Sequence, residues 1–407
     1  IHYSGYNPDN FDDDFDGPLS AMEALIRSRN VPAVYLTQRV KDPSLYEFLS
    51  RSGVGGLKER GWYGVSLILG TAETTMKELV AMYGCLANSG RFQPLKALSD
   101  RMPPRPVAML SPEAAWLTLD ILKDKPRPEE VGSVLGDPTE LACAWKTGTS
   151  IGFRDAWSVG IFGHYILAVW VGNFDGASNP AFVGIDAAAP LMFEIIDALR
   201  LSGLDKSPGG WEQRPAGIAR VKVCPVSGKI PNALCPRTVE TWFIPGKSPI
   251  EACEIHQLIY TDIKTGLRRS VPEEGRTTRR VMEIWPSDMM AVFERAGMPR
   301  KRPPPFAGGD SIETNPSSSE APQIVSPLSR GEYVARYDYN KAGEMPLIAI
   351  VPSDTEKVFW FLNESFLGSA PRGKAFFWKQ VPGSYILRVT DDRGRSSSCQ
   401  FTVITGD

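Results

Sequence analysis

The sequence predicts a multidomain α/β plus all-β protein: an antiparallel sheet with helices, then a cysteine-containing connector, then a β-sandwich. Three observations carry this. Residues 1–205 mix amphipathic helical patterns with apolar, strand-like runs. Near Leu204 the texture changes, and Ser207-Pro208-Gly209-Gly210 leads into a turn-rich stretch with cysteines and weak periodicity. Residues 323–407 hold six short alternating runs separated by turns, with no helical pattern. A chain of 407 residues also exceeds what one hydrophobic core usually serves. The expected divisions are 1–205, a connector at 206–302, a Pro/Ser-rich linker at 303–322 and the sandwich at 323–407.

In the first domain, Leu19 to Ile26 reads as a helix, with Ser20 and Glu23 spaced as a capping box. Val31 to Val40 reads as a second, its Pro32 tolerated in the first turn. Glu73 to Asn88 is amphipathic and stops at Asn88-Ser89-Gly90, and Ser111-Pro112 opens a helix reaching Lys123. Leu141 to Lys146 then reads as a strand. Ala156–Phe162 and Tyr165–Gly172 form a hairpin around Gly163-His164. The second hairpin strand is apolar on both faces and is expected to be central in a covered sheet. Ala187 to Leu201 closes the domain as a helix. The terminal runs, Tyr333–Tyr337, Leu347–Val351, Val358–Leu362, Ala375–Trp378, Tyr385–Val389 and Cys399–Ile404, fit an immunoglobulin-like sandwich.

Composition excludes several function classes. Residues are 42% hydrophobic and 23% charged, ordinary for a globular protein, and the net charge of −2 gives no case for nucleic acid or an anionic membrane. No apolar run is long enough to span a bilayer, and Ile1-His2-Tyr3 does not open a signal peptide. The first residue is not Met, so the chain reads as a piece of a longer protein. Its three histidines are His2, His164 and His256, none placed for a histidine-dependent acyl transfer, which leaves lysine chemistry.

Lys146-Thr147-Gly148-Thr149-Ser150 is the candidate site. A lysine beside small hydroxyl residues can hold a carboxylate next to a reacting carbonyl: the ammonium supplies charge, Thr147, Thr149 and Ser150 supply donors, and Gly148 permits close approach. An ordinary turn between strands would look similar. Upstream, Ser28-Arg29-Asn30 fits a helix boundary, and such a loop can also present a hydroxyl to a cleft.

These segments, with Tyr6-x-Pro8-x-Asn10-Phe11, Gly17-Pro18-Leu19-Ser20, Ala24-Leu25, Val31-Pro32-Ala33-Val34, Ser66-Leu67-Ile68-Leu69-Gly70, Ala87-Asn88-Ser89-Gly90, Asp155-Ala156-Trp157 and Val169-Trp170-Val171-Gly172, resemble the transpeptidase domain of class A penicillin-binding proteins. Arg29 departs from that pattern and is expected to point away from the cleft. The resemblance implies a penicillin-binding, β-lactamase-like fold and a D,D-transpeptidase working by serine acyl transfer. It implies that Lys146 keeps the cleft positive and that Thr147 and Thr149 bind the carboxylate of a stem peptide or β-lactam. It further implies that the Thr149 N–H supplies half of an oxyanion hole, Ser28 relays a proton and Asn30 positions the substrate amide. The family's Ser-x-x-Lys nucleophile occurs nowhere in the 407 residues. Ser20 and Ser227 lack a suitably spaced lysine. The nucleophile is therefore expected before Ile1, with strands that complete the sheet, and these residues alone are expected to be inactive.

Cys224, Cys235, Cys253 and His256 could form a disulfide or a structural zinc site. Similar segments follow the transpeptidase domain in some penicillin-binding proteins, which act outside the cytoplasm. That setting favours a disulfide, Cys224 to Cys235, and no metal. The acidic run Asp9, Asp12, Asp13, Asp14 and Asp16 does not fit an EF-hand and reads as a solvated loop. Val358 to Asn363, Leu367-Gly368 and Asp391 to Arg395 resemble the C-terminal domain of penicillin-binding proteins of the 1C type. The resemblance implies no cofactor, a bifunctional glycosyltransferase/transpeptidase parent at the periplasmic face of the inner membrane, and a membrane contact only through a segment before Ile1. Its partners would be stem peptides, β-lactams, the N-terminal part of the same protein and a cell-wall or periplasmic protein at the sandwich. The alternatives are a D,D-carboxypeptidase or β-lactamase-like hydrolase, and a non-catalytic cell-wall scaffold.

Overall fold

The structure, a computed structural model, describes residues 10, 16–40, 42–98, 105–128, 142–203, 208–307, 321–329, 331–335, 337–338, 341–352 and 354–405. His2, Tyr6, Pro8, Asp9, Phe11, Asp12, Asp13, Asp14, Leu141, the boundary at 204–207 and the linker at 308–320 lie outside the described residues. The chain divides into two compact units, the first chiefly Leu19–Arg220 and the second chiefly Val221–Thr241 with Pro249–Asp407.

Short-range signals set the helices of the first unit. Helix α1 (Ala21–Ile26) begins with the expected capping box, the Ser20 hydroxyl accepting from the Glu23 N–H and the Glu23 carboxylate from the Ser20 N–H. Helix α2 (Asn30–Thr37) follows after a three-residue break. Helix α3 (Leu45–Arg51) is an addition to the sequence reading; it carries its own box, Ser44 with Glu47. Helix α4 (Met76–Ala87) starts later than Glu73 because Thr75 and Glu78 form the box there. Helix α5 (Pro112–Lys123) has Ser111 as its N-cap and Pro112 in the first turn.

The sheet has strand order β1 (Cys143–Thr149), β2 (Asp155–Phe162) and β3 (Tyr165–Gly172), all antiparallel. Among the described residues β2 lies between the other two strands and β3 pairs only with β2. The apolar run of β3 is covered on both faces, Leu167, Val169 and Val171 packing on one side and Ile166 on the other. On one face, helix α6 (Ala189–Leu201) packs Met192, Phe193 and Ile196 against Trp145, Ala156 and Phe162. On the other, Leu119 and Leu122 of α5 meet Ala144 and Ile161. Each of the large, fully buried side chains contributes roughly 1.5–3 kcal/mol.

The second unit contains the connector and the sandwich. The connector's main sheet has β4 (His256–Asp262) between β5 (Arg268–Arg269) and β6 (Thr277–Glu283), followed by helix α7 (Ser287–Arg295). The sandwich is all β, as expected. One sheet is β7 (Gln323–Ser326), β9 (Glu344–Ile350) and β12 (Phe376–Lys379). The other runs β8 (Gly331–Ala335), β14 (Ser396–Thr405), β13 (Gly383–Asp391), β10 (Lys357–Leu362) and β11 (Ser365–Pro371). β8 and β14 are parallel. Leu347, Trp360, Leu387, Val389 and Phe401 fill the space between the sheets.

One ion-pair cluster lies at the rim of that core. Arg395 donates to Asp391 Oδ2 at 2.6 Å, Asp354 Oδ1 at 2.8 Å and Thr355 Oγ1 at 2.9 Å, and the guanidinium and both carboxylates are buried. Replacing Arg395 by Met would strand two buried carboxylates, a loss of about 3–5 kcal/mol. Urea denaturation followed by the fluorescence of buried tryptophans should show the sandwich transition moved to lower denaturant by that amount.

Candidate functional site

Ser28 owes its position to the way α1 stops. The Ser28 and Arg29 N–H groups turn back to the carbonyls of Leu25 and Ala24 at 3.2 and 2.9 Å, a Schellman-like closure. Ser28 occupies the left-handed region, φ +58°, which glycine normally fills. A serine there costs about 1–3 kcal/mol, and strain of this kind gathers at functional sites. Its hydroxyl is exposed and accepts a very short hydrogen bond from Lys146 Nζ. Asn30 is the first residue of α2, half-buried, and its N–H donates to Asn10 Oδ1 at 3.2 Å.

Lys146 lies in β1, and its ammonium also donates to the Thr147 carbonyl at 2.8 Å. A second lysine shares this environment. Lys125, just beyond α5, donates to the Ile26 carbonyl at 2.9 Å and sits 4.8 Å from the Trp145 ring centroid. Trp145 Nε1 in turn donates to the Lys125 carbonyl at 3.1 Å. Burial first, and then the Lys125 charge, bring the Lys146 ammonium down to about 8. Burial alone lowers Lys125. Two poorly solvated cations make a field that favours an anion.

The backbone of β1 adds a donor. Ser150 N–H bonds to the Asp155 carbonyl at 3.0 Å, across the β1–β2 ladder. Because successive N–H groups alternate sides, the Thr149 N–H faces the opposite edge, to which no described strand pairs. The Thr149 hydroxyl accepts from the Gly184 N–H at 3.0 Å, which leaves its own proton as the group it can offer.

Ser28, Lys146 and the Thr147 carbonyl thus come together. Ser150 does not join them: its hydroxyl accepts from the N–H groups of Arg154 and Asp155 at 3.2 and 2.8 Å and shapes the turn into β2. Sequence reasoning missed Lys125 and Gly184. Neither belongs to a motif, and both reach the site through tertiary packing.

The second set of predicted residues also converges. Cys224, Cys235 and Cys253 are free thiols rather than a disulfide pair with a spare, and each faces His256 Nδ1. The ring nitrogen stands among the sulfurs, so the expected Cys224–Cys235 bond is not formed.

Two segments match described families: residues 214–258 match "Penicillin-binding protein 1A, C-terminal domain", and residues 313–401 match "Penicillin-Binding Protein C-terminus Family". The chain is 26% identical to penicillin-binding protein 1C of Escherichia coli over 98% of its length and 51% of that protein. It is 29% identical to penicillin-binding protein 1A of Clostridium botulinum over 62% of its length and 32% of that protein. The resemblance to class A penicillin-binding proteins therefore holds along the chain, which spans about half or less of these relatives. A crystal structure of penicillin-binding protein 1A from Haemophilus influenzae superposes with a TM-score of 0.49 and 21% identity, covering 62% of this chain and 44% of that one. Among the described residues no helix is long and apolar enough to cross a membrane.

Two glycines of the site behave oppositely. A Cβ on Gly148 would meet only the Trp157 Cβ at 3.8 Å, ordinary contact, whereas one on Gly184 would lie 2.5 Å from the Gly148 carbonyl oxygen and 2.8 Å from that of Trp157. Thermal unfolding should show Gly184→Ala destabilised by about 1–3 kcal/mol through overpacking. Gly148→Ala should be unchanged or slightly stabilised, since the fold itself does not require a glycine there.

Proposed function

We propose that the open edge of β1 is the carboxylate-holding side of a penicillin-binding D,D-transpeptidase site. The observation that carries this is the pairing of Lys146 with Ser28 beside an edge strand whose Thr149 N–H points outward. In this reading the C-terminal carboxylate of a peptidoglycan stem peptide, or that of a β-lactam, lies against Lys146, Thr147 and the Thr149 hydroxyl. Gly148 leaves room for the ligand backbone, a need the packing around it does not impose. The scissile carbonyl meets the Thr149 N–H, where negative charge develops in the transition state. Asn30 positions the substrate amide, and Ser28 passes a proton toward the leaving amine with Lys146 as its partner. Similarity to penicillin-binding proteins supports assignment to the cell envelope, and we infer action on the periplasmic face of the inner membrane.

The reaction would be acyl transfer through a serine ester: the terminal D-alanine leaves, and the amine of another stem peptide attacks the ester. That ester requires an activated serine, and no Ser-x-x-Lys occurs among these residues. Fluorescent penicillin should consequently leave the 407-residue chain unlabelled. A stable adduct would reveal a nucleophile among the serines of this chain and overturn this division of labour.

Reversible binding tests the carboxylate-holding half directly. An acyl-D-Ala-D-Ala peptide titrated into the chain and followed by NMR should bind near β1. Lys146→Met should weaken it by roughly 1.5–3 kcal/mol, the range for a hydrogen bond to a charged group, or about ten- to a hundred-fold. The Lys146 charge is present below about pH 8 and lost above it. The dissociation constant should therefore rise as pH passes upward through that value, and Lys146→Arg should flatten the profile. Gly148→Ala should weaken binding without loss of stability. Equal binding by wild type and Lys146→Met would refute the assignment.

A further inference from the structure

We propose that Cys224, Cys235, Cys253 and His256 form a tetrahedral structural zinc site in the connector. The four ligand atoms lie within 4.8 Å of one another. The sulfurs of Cys224, Cys235 and Cys253 stand 3.5, 3.5 and 3.6 Å from His256 Nδ1. Zinc bonds of about 2.3 Å to sulfur and about 2.0–2.1 Å to nitrogen, at tetrahedral angles, require a sulfur-to-nitrogen edge of about 3.6 Å. Three edges meet that value at once. A disulfide would draw two sulfurs to about 2.05 Å and leave the third thiol and the imidazole without a common purpose.

The surrounding hydrogen bonds fix the ligand segments in place. Cys224 N–H donates to the Lys229 carbonyl and Gly228 N–H to the Cys224 carbonyl, both at 2.8 Å, closing a tight turn under the first ligand. The Asn232 amide donates to the carbonyls of Cys253 and His256 at 2.7 and 3.0 Å. Its oxygen accepts from the Leu234 N–H at 2.8 Å and from the Cys235 thiol. One side chain thus ties the segments carrying Cys235, Cys253 and His256, three of the four ligands, together, the kind of outer shell that orients metal ligands.

Burial supplies the second argument. From Ala219 to Leu258 every residue is described, and the only buried ones are Cys224, Cys253 and His256. Its apolar anchorage among the described residues is Val226 and Ile255 against Trp285, Met290 and Phe293, none of them inside the cluster, and a bound metal would add a second point of fixation there. All four positions of the tetrahedron come from the protein, so the site is closed and structural rather than catalytic. The oxidising setting inferred above would otherwise favour a disulfide, which makes the two alternatives sharply separable.

The intact protein, isolated without reductant or chelator, decides between them. Elemental analysis should find about one zinc per chain. Thiols of the cluster should resist alkylation until a mercurial displaces the metal. Exchange for cobalt should give the visible bands of a tetrahedral, thiolate-ligated ion, and these should be lost or altered in Cys235→Ser. Metal-free protein with freely alkylated cluster thiols, or an unreduced mass showing a disulfide among Cys224, Cys235 and Cys253, would overturn the proposal. The metal content and thiol state of the wild type distinguish zinc from disulfide even if Cys235→Ser does not fold.

Discussion

The one-sided ladder of β1 is the constraint on which the first unit depends. β1 bonds to β2 along its whole length and, among the described residues, to nothing on its other edge. That asymmetry aims the Thr149 N–H outward and keeps Gly148 exposed. Independently of that edge, α5 and α6 cover opposite faces of the same strand, through Ala144 and Trp145. An unpaired strand edge is a liability in a soluble protein unless something occupies it. In the function proposed for this edge, substrate backbone is that occupant, so its exposed polar groups become recognition elements. The glycines differ in what holds them: Gly184 is fixed by packing, while the packing around Gly148 does not require a glycine.

Local signals made much of this legible. The capping box at Ser20, the Ser111-Pro112 start and the Tyr165–Gly172 strand appear in the structure at or within a residue or two of their expected limits, because short-range chemistry determines them. α3 carries an equally good box at Ser44 and Glu47, but a helix barely two turns long offers little periodicity to read. The place of β3 among the described strands escapes the sequence for a different reason. An apolar run reports cover on two faces, and helices provide that as well as strands do. Lys125 is beyond reach altogether, since its contact with Ile26 spans 99 residues and depends on α1 and α5 having already packed.

The site itself is only partly legible. Spacing places Lys146 and Ser28 in recognisable motifs, and folding brings them into contact across 118 residues. Spacing cannot show that Ser150 belongs to a turn, because hydroxyls that cap turns and hydroxyls that bind ligands look alike in sequence. Nor can it show that Ser28 adopts a left-handed backbone. In that conformation the helix-terminating residue has its hydroxyl on Lys146.

The cysteine cluster completes the contrast between pattern and placement. Sequence shows three thiols and an imidazole, and compartment chemistry alone then argues for oxidation. Geometry reverses the argument, because a disulfide uses two ligands and leaves two, whereas all three sulfurs stand 3.5–3.6 Å from the same ring nitrogen. Thiolate ligands held by a metal are also poor partners for thiol–disulfide exchange, since the attacking species is the uncoordinated thiolate. A site filled during folding would therefore keep its cysteines reduced in surroundings where bare ones would pair. The ligand segments do not depend on oxidation for their placement: Asn232 bonds to the Cys253 and His256 carbonyls without any sulfur–sulfur bond.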